Sequence, residues 1–345
     1  MKLDQLTDTL GRAGVGHHVV RQGRGGYVIC PQGARVLGAW PGPDDDNVFW
    51  LAACCSTAES LKAAVDSGDW NLGGDRLWFS PELNLFVKSA EATGPEFVPL
   101  AIDPGSYDLR ADGDVVVMRQ SGVVRDGREA VDVHFEAERV VRPADPPVSD
   151  LAGLDYVGYE FASWIEARTD GGPAPRVNLW QLAQVPPPGD ILIPTWQTAK
   201  PYDFFATGVA RWCRVEPGSV VFPVTGAEQH KLGLDSSVVC GRLGYLRRLS
   251  DDRWSLFVRG LQPVPGGFYP DFPIADPDLR CFAVQCYNDD GHYGGFGEAE
   301  HHAPTVTTGN TCRSADASQL WTFAGTPQAV RRVAGSLLGP ASQCW

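Results

Sequence analysis

The densest group of side chains able to do chemistry lies in residues 287–304, YNDDGHYGGFGEAEHHAP. Glu298 and Glu300 are two positions apart, so in a β-strand both carboxylates would point to one face, about 7 Å apart along the chain, and His301 to the other. Two close carboxylates raise the pKa of one of them, which suits a general acid or base near neutral pH. We therefore predict that Glu298, Glu300, His292 and His301 are catalytic.

Other interpretations of this segment stay open. Asn288 begins an Asn-Asp-Asp-Gly turn, and the three histidines and several glycines of the segment would also be typical of an exposed acidic loop. Asp, His and Glu side chains can hold a metal ion, but their spacing here matches no recognised site, so no metal is predicted. If the segment binds a substrate, we expect Asn288 to contact it.

A second candidate region is residues 71–86, NLGGDRLWFSPELNLF. Its two glycines allow a sharp turn or a close approach to a ligand. The planar guanidinium of Arg76 can donate to the oxygens of a hydroxyl-rich ligand, and the ring of Trp78 can stack on its C–H faces. Asp75, Arg76 and Trp78 are therefore candidate substrate-binding residues. The alternative is a turn at a strand edge, in which Asp75 and Arg76 form a solvated ion pair.

Neutral hydrogen-bonding side chains and a tryptophan mark residues 176–190, RVNLWQLAQVPPPGD. Asn178, Trp180 and Gln184 are candidates for substrate binding, although a strand that contributes to the core would show the same pattern. Lys231 begins a β-like run further along the chain. It could bind the substrate by neutralising an anionic group, or it could be a solvated residue at a strand edge.

The elements that would carry these residues are mainly β. Short runs rich in Val, Ile and aromatic residues alternate with turns that contain Gly and Pro up to about residue 312, the pattern of an antiparallel β protein. Apolar stripes and N-cap residues predict short helices, at about 3–13 near the N-terminus, at 56–66, and at about 326–338 near the C-terminus. Because the sequence has no low-complexity linker and no repeat, we expect residues 1–345 to form one domain.

Charge and composition exclude several classes of function. The chain has 29 Lys and Arg against 42 Asp and Glu, a net charge of −13, whereas proteins that bind nucleic acids or anionic membranes usually present a basic surface. The apolar runs are much shorter than the roughly 20 residues of a membrane span, and the N-terminus lacks a signal-peptide core. The nine cysteines, an odd number without a Cys-x-x-Cys pair, indicate buried reduced thiols. We therefore expect a cytoplasmic protein with a small-molecule partner.

The order of these motifs resembles the galactose mutarotase-like (aldose 1-epimerase) superfamily, and in particular its bacterial branches. Three stretches carry the resemblance, GGDRLWFSPE, NLWQLAQVPPPG and GFGEAEHHAP, and it spans roughly residues 15–310. It implies an antiparallel β-supersandwich with a cleft that binds a carbohydrate, and no cofactor. It also implies that Arg76 contacts the sugar and that Glu300, or Glu298 if the register slips by two residues, takes the proton from the anomeric hydroxyl.

One departure from the family pattern concerns the general acid. The family has a histidine in a central Asn-His-x-Tyr-Phe segment, but the corresponding residues 178–181, NLWQ, contain none. The acid would then be Lys231 or a histidine from elsewhere in the chain, which could be His230, His292, His301 or His302. The leading hypothesis is a mutarotase-like sugar isomerase. A lyase or glycosidase on the same fold and a non-catalytic sugar-binding protein are the alternatives.

Overall fold

The computed structural model describes residues 1–250 and 252–343 of the chain. Strands dominate this part of the chain, as the sequence predicts. In chain order they are β1 (His18–Gln22), β2 (Gly25–Cys30), β3 (Arg35–Trp40), β4 (Asp75–Ser80), β5 (Asp108–Asp112), β6 (Val115–Asp126), β7 (Val131–Pro143), β8 (Leu154–Thr169), β9 (Asn178–Val185), β10 (Gly189–Pro194), β11 (Tyr202–Asp203), β12 (Arg214–Glu216), β13 (Ser219–Val224), β14 (His230–Asp235), β15 (Arg242–Arg248), β16 (Trp254–Gly260), β17 (Phe282–Asn288), β18 (Gly297–His302), β19 (Thr305–Thr308) and β20 (Thr311–Gly325).

Within the described ranges these strands form two antiparallel sheets. The first has nine strands in the order β1-β2-β3-β4-β9-β18-β17-β14-β11. The second has eleven strands: ten follow the order β12-β13-β10-β15-β16-β20-β8-β7-β6-β5, and β19 pairs with β20. Strands that are distant in the sequence, such as β4, β9 and β18, are therefore neighbours in the first sheet.

Apolar side chains from the facing sides of the two sheets form the main core. Across this interface the rings of Phe79 and Phe135 lie 5.1 Å apart, and those of Tyr27 and Tyr159 lie 5.3 Å apart. Each pair joins a residue of the nine-stranded sheet to one of the eleven-stranded sheet, which is the packing of a β-sandwich. The predicted fold class, mainly β and antiparallel, is confirmed.

Helices cover parts of the outer faces of both sheets. They are α1 (Leu3–Ala13), α2 (Ala58–Asp66), α3 (Glu82–Leu85), α4 (Val209–Trp212) and α5 (Pro327–Leu338). The helices α1 and α2 pack against β2 and β3, and α5 packs against the eleven-stranded sheet. Thr57 and Thr326 cap α2 and α5 by accepting a hydrogen bond from a backbone N–H of the first turn.

The helices α1, α2 and α5 lie close to the three predicted ranges, whereas α3 and α4 differ from the prediction. Each of these two is a single turn of four residues, too short for an apolar stripe at helical spacing to appear in the sequence. No helix in the described part of the chain is long and apolar enough to cross a membrane.

The cysteines of the described residues all carry free thiols, and they number eight. Five of them are buried, as expected for small core residues. The ninth, Cys344, lies outside the described residues.

The register of neighbouring strands brings polar side chains onto one face of the nine-stranded sheet. Residues directly opposite each other in an antiparallel pair share a face, and so do alternate residues along each strand. Glu300 lies opposite Gln285 of β17 and Leu182 of β9, and Leu182 lies opposite Arg76 of β4. The adjacent row consists of Lys231, Tyr287, Glu298 and Gln184.

Two glycines before β4 have positive φ angles, 99° at Gly73 and 82° at Gly74. A Cβ atom at Gly74 would lie 2.6 Å from the carbonyl oxygen of Val36, and one at Gly73 would lie 2.2 Å from that of Trp50. The glycine pair therefore allows β4 to approach the neighbouring backbone closely, rather than a ligand. It sets the point at which β4, and with it Arg76, joins the sheet.

Replacing Gly74 with Ala should therefore destabilise the fold strongly. Gly113 provides a matched control, because its φ is also positive, +57°, but a Cβ there meets nothing within 4 Å. We expect Gly113→Ala to cost about 1 kcal/mol from backbone strain alone, and Gly74→Ala about 3 kcal/mol or more because the clash adds to the strain. Urea unfolding measures both. Equal losses in the two variants would show that the close approach at Gly74 does not exist.

Candidate functional site

The polar face is the side of the nine-stranded sheet on which the candidate residues meet. Its residues are Arg76 and Trp78 of β4, Trp180 and Gln184 of β9, Lys231 of β14, Gln285 of β17, and Glu298, Glu300 and His302 of β18. All of them are buried. All of them except Gln285 and His302 are candidate site residues predicted from the sequence, and His302 is one of the histidines considered as a general acid.

Arg76 is held between two carboxylates and two indole rings. Its Nη2 donates to Oε1 of Glu298 at 2.7 Å, and its Nε is 4.0 Å from Oδ2 of Asp103. The guanidinium carbon lies 4.1 Å from the ring centroid of Trp78 and 5.0 Å from that of Trp70. Burial lowers the pKa of Arg76, while the two carboxylates oppose this shift. The side chain is therefore a positioned cation whose charge is already compensated.

Glu300 is a fully enclosed carboxylate, with 0% of its surface exposed. Nε1 of Trp180 donates to its Oε2 at 2.8 Å, whereas its Oε1 has no hydrogen-bond partner among the described residues. Burial raises the pKa of Glu300 to about 8, the charge of Lys231 opposes this shift, and Glu298 adds to it. Burial is therefore a larger cause of the raised pKa than the neighbouring carboxylate from which the sequence predicts it.

Glu298 differs from Glu300 in its partners and its exposure. Its side chain is 9% exposed, and it forms the ion pair with Arg76. Burial raises the pKa of Glu298, but Arg76 and Lys231 both oppose the shift. Of the two carboxylates, Glu300 is the one with an oxygen that is both buried and without a hydrogen-bond partner among the described residues.

Lys231 and Glu82 form an ion pair beside these carboxylates. Nζ of Lys231 lies 3.2 Å from Oε2 of Glu82 and 4.8 Å from the ring centroid of Trp180. Burial alone would lower the pKa of Lys231, but three carboxylates, led by Glu82, outweigh it and raise the pKa. The ammonium group is therefore protonated at neutral pH and can donate hydrogen bonds.

The histidine on the polar face is His302. Its ring stacks on that of Trp180, with centroids 5.4 Å apart. Burial lowers the pKa of His302 to about 3, so the ring is neutral at physiological pH. Its Nδ1 lies 3.3 Å from the hydroxyl of Ser80, and its Nε2 has no hydrogen-bond partner among the described residues.

The two histidines predicted to be catalytic lie away from the polar face. His301 points between the sheets, where Arg259 donates to its Nδ1 and its Nε2 donates to Asp316, both at 3.0 Å. His292 lies in an exposed loop. Strand alternation explains the position of His301, because the neighbour of a residue that faces one side must face the other. No group of three or more His, Cys, Asp or Glu side chains in residues 1–250 and 252–343 is arranged to hold a metal ion.

Asp75, a predicted substrate-binding residue, also points between the sheets. Its carboxylate lies 2.8 Å from Nη2 of Arg259 and 3.3 Å from Nη2 of Arg139, and the hydroxyl of Tyr159 donates to it at 2.6 Å. The side chains of Asp75 and its neighbour Arg76 therefore point to opposite faces of β4. The pair is not the solvated ion pair that the sequence left open, since each residue has buried partners of its own.

The side chains of Asn178 and Asn288 bond to the backbone, and Asn178 also contacts the polar face, where its Nδ2 lies 3.4 Å from Nδ1 of His302 and its Oδ1 accepts from the hydroxyl of Ser80. The amide of Asn178 donates to the carbonyl of Ala303 at 2.8 Å. Oδ1 of Asn288 accepts hydrogen bonds from the backbone N–H groups of Thr225 and Gly226 at 2.8 and 3.0 Å. Both amides anchor loops, so the structure brings neither to Glu300.

Several buried polar atoms of this face have no hydrogen-bond partner among the described residues. They are Nε and Nη1 of Arg76, Oε1 of Gln184, Oε1 of Gln285, Oε1 of Glu300 and Nε2 of His302. An unpaired buried polar atom costs about 1–3 kcal/mol, so such atoms usually bind a ligand or water. The set contains both donors and acceptors, and hydroxyl groups can complement both.

Loops cover the polar face. The ring of Phe86 lies 5.0 Å from that of Trp78. Asp271 accepts hydrogen bonds from the backbone N–H of Glu82 at 3.0 Å and from Nε2 of Gln285 at 2.8 Å. We term the segments that carry Phe86, Glu82 and Asp271 the roof.

The mouth of the site is the side at which its carboxylates keep some exposure. The side chain of Glu82 is 24% exposed and that of Glu298 is 9% exposed. The ring of Trp70 lies against Arg76, the partner of Glu298, and 5.6 Å from the ring of Tyr293. A cavity of about 380 Å³ lined by residues of β8, β16 and β20, and one of about 690 Å³ near Phe268, lie elsewhere. The polar face is therefore a covered surface in this conformation, and a ligand as large as a sugar needs the roof to move.

Several residues of the site lie outside the strands and carry no signal in the sequence. Trp70, Asp103 and Asp271 lie in loops and Glu82 begins the single-turn helix α3, so neither spacing nor alternation identifies them. Gln285 lies in a strand that the sequence predicts, but its place beside Glu300 depends on a register that the sequence does not define.

Comparison with known proteins finds no matching family model and no matching curated protein. Among solved structures, the Slr1438 protein from Synechocystis sp. PCC 6803 aligns with a TM-score of 0.51 and 9% identity, over 90% of this chain and 96% of that one. A galactose mutarotase-like protein from Lactobacillus casei ATCC 334 gives 0.47 and 12%, over 88% and 100%. A galactose mutarotase related enzyme from Lactobacillus acidophilus gives 0.47 and 7%, over 90% and 98%. Galactose mutarotase-like proteins are thus among the structures that this chain is similar to, and the likeness to Slr1438 shows a shared fold.

Replacing Glu300 with Gln should change how stability depends on pH. The folded pKa of about 8 lies above the value of about 4.3 for an unfolded glutamate, so the folded state binds the proton more tightly. The contribution of Glu300 to stability is therefore complete below about pH 4 and is lost as the pH rises to about 8. Urea unfolding at about pH 5 and about pH 9 measures the effect. Because Gln cannot ionise, the free energy of unfolding of Glu300→Gln relative to that of the wild type should be a few kcal/mol higher at about pH 9 than at about pH 5.

Glu136→Gln is the control for this experiment, since Glu136 is exposed on β7. The free energy of unfolding of Glu136→Gln should differ from that of the wild type by the same amount at about pH 5 and at about pH 9. If Glu300→Gln behaves in the same way, the carboxyl group of Glu300 is not held in an environment that resists ionisation.

Proposed function

We propose that the polar face binds a carbohydrate and that the protein is a mutarotase-like sugar isomerase with Glu300 as general base. The observation that carries the proposal is the set of unpartnered buried donors and acceptors around Glu300. A polyhydroxylated ring can satisfy donors and acceptors together, because each hydroxyl is both. The aromatic rings of Trp78 and Trp180 on the same face supply stacking surfaces for sugar C–H groups.

Glu300 has the properties that the proton transfer requires. Its unpartnered Oε1 would take the proton from the anomeric hydroxyl while the bond between the anomeric carbon and the ring oxygen breaks. Mutarotation returns this proton when the ring closes, so the group must act as base and then as acid, which is easiest when its pKa lies near the working pH. The pKa of about 8 meets that condition.

Lys231 is the residue we assign as proton donor to the ring oxygen. Its ammonium group is protonated and lies against Trp180, the residue that bonds Glu300. The ring of His302 shares the polar face, but its lowered pKa keeps it neutral and makes it a weaker donor. His301 is buried between the two sheets, and His292 lies in an exposed loop. Lys231 would recover its proton as the ring closes.

Arg76 would orient the sugar rather than transfer protons. Its Nε and Nη1 are buried and unpartnered, so they can donate to sugar oxygens while Nη2 stays on Glu298. The indole rings of Trp70 and Trp78 hold the guanidinium from its faces. This arrangement restricts the side chain to one orientation, which makes its donors more selective.

A second candidate function is non-catalytic sugar binding. Two observations favour it: Glu300 is fully covered by the roof, and residues 178–181 lack the family histidine. A binding protein needs the same hydrogen-bond complement but no proton donor for the ring oxygen. The two functions differ in turnover and not in affinity.

Glu300→Gln separates these functions when the exchange between sugar anomers is followed by NMR with D-galactose and D-glucose. If Glu300 is the base, the variant should bind the sugar as the wild type does and lose roughly 10²-fold or more in turnover. Wild-type turnover should rise with pH through about 8, as Glu300 loses its proton. Glu298→Gln, the matched change two residues away on the same face, should cost less than about tenfold, because Glu298 is committed to Arg76.

Two results would contradict the assignment. Loss of turnover in Glu298→Gln with full activity in Glu300→Gln would place the base two residues earlier. Binding of the sugar by the wild type without any acceleration of anomer exchange would favour the binding protein.

A further inference from the structure

Negative charge exceeds positive charge around the polar face. With its pKa of about 8, Glu300 is largely protonated at neutral pH, so the charged carboxylates there are Glu82, Asp103, Asp271 and Glu298, and the cations are Arg35, Arg76 and Lys231. Two charged residues lie further from the polar face. Arg280 interacts electrostatically with Asp271 and adds one positive charge, and Asp289 interacts with Tyr293 and adds one negative charge. The carboxylates therefore remain in excess.

Every cation near the ligand is already paired. Arg76 bonds Glu298 at 2.7 Å, and Lys231 bonds Glu82 at 3.2 Å. Nη2 of Arg35 bonds both oxygens of Asp103, at 2.7 and 2.8 Å. An anionic group on a ligand would have to displace one of these carboxylates or lie beside it, and both are costly in a buried site.

The mouth of the site has the composition that favours a cation. Arg76 donates to Oε1 of Glu298 and Lys231 to Oε2 of Glu82, and no donor of the described residues bonds the other oxygen of either carboxylate. The ring of Trp70 lies 5.0 Å from the guanidinium carbon of Arg76, the partner of Glu298, and the charge of Glu82 acts on Tyr293. Aromatic faces also attract cations. Below the mouth, the Oε1 atoms of Gln184 and Glu300 are fully buried and have no hydrogen-bond partner among the described residues, so a ligand can also bond there.

We infer that the sugar taken by this site carries a positive charge, an amino sugar whose ammonium group lies at the mouth between Glu82 and Glu298, and that phosphorylated and acidic sugars are excluded. This inference rests on the proposed function, since it specifies the ligand of the same site. The hydroxyl groups would meet the unpartnered atoms below, and the ammonium group would supply the positive charge that the site lacks.

Calorimetric titration at about pH 6 tests the inference with four probes: D-galactosamine, D-galactose, N-acetyl-D-galactosamine and D-galactose 6-phosphate. The amine should bind at least about tenfold more tightly than galactose, the scale of one well-placed ion pair, and the phosphate should show no binding. The neutral N-acetyl derivative should lose the advantage of the amine. Added salt should weaken the binding of the amine more than that of galactose.

Glu82→Gln tests the position of the ammonium group. It should reduce the preference for galactosamine over galactose to less than about threefold, because it removes one carboxylate of the mouth. The control is Glu216→Gln, which makes the same change of charge at an exposed residue of the edge strand β12 and should leave the preference intact.

The outcomes separate the inference from the proposed function. Binding of galactose 6-phosphate as tight as that of galactose, or equal binding of galactosamine and galactose, overturns the charge preference and leaves sugar binding standing. Absence of binding by all four probes overturns both.

Discussion

Two arginines of the eleven-stranded sheet hold the carboxylate of Asp75 between the sheets, and this pairing sets the orientation of β4. Arg139 and Arg259 lie 3.3 and 2.8 Å from Asp75, and all three side chains are fully buried. A buried carboxylate without such partners would be strongly destabilising, so β4 cannot rotate or shift by one residue. Because Asp75 faces inwards, Arg76 must face the opposite side. A similar constraint acts on β18, where the buried bonds of His301 turn Glu300 towards the polar face.

The floor and the roof of the site are held in different ways. The floor of the site is sheet, fixed by strand pairing and by the ion pairs behind it. The roof is attached by polar contacts, such as that between Asp271 and Gln285 at 2.8 Å, by Leu85 and Phe86, which belong to the main core, and by a small separate apolar cluster that includes Leu83, Val87 and Phe272. Its backbone is not paired with the strands of the nine-stranded sheet, so we expect it to open at lower cost than the sheet beneath it. Ligand entry by movement of the roof would leave the positions of Arg76 and Glu300 unchanged.

Strand periodicity made a large part of the site predictable from the sequence. The placement of Glu298 and Glu300 on one face, with His301 on the other, follows from alternation alone, and β18 has that geometry. The same rule applied to Asp75 and Arg76 would have assigned them to opposite faces, and treating them as one pair misplaced Asp75. Glu82, Asp103 and Asp271 could not be predicted, because loop residues reach the site through tertiary packing. His302 could have been chosen over His301, because it lies two residues after Glu300 in the same strand and therefore faces the same side of the sheet.

The central claim is that the unpartnered atoms of the polar face are completed by a sugar. A crystal structure of the protein with bound D-galactose tests this most directly. The account predicts sugar hydroxyls within hydrogen-bond distance of Oε1 of Glu300 and of Nε or Nη1 of Arg76, with Phe86 moved away from Trp78. A sugar bound at another surface, with the roof closed and these atoms still unpartnered, would contradict the account.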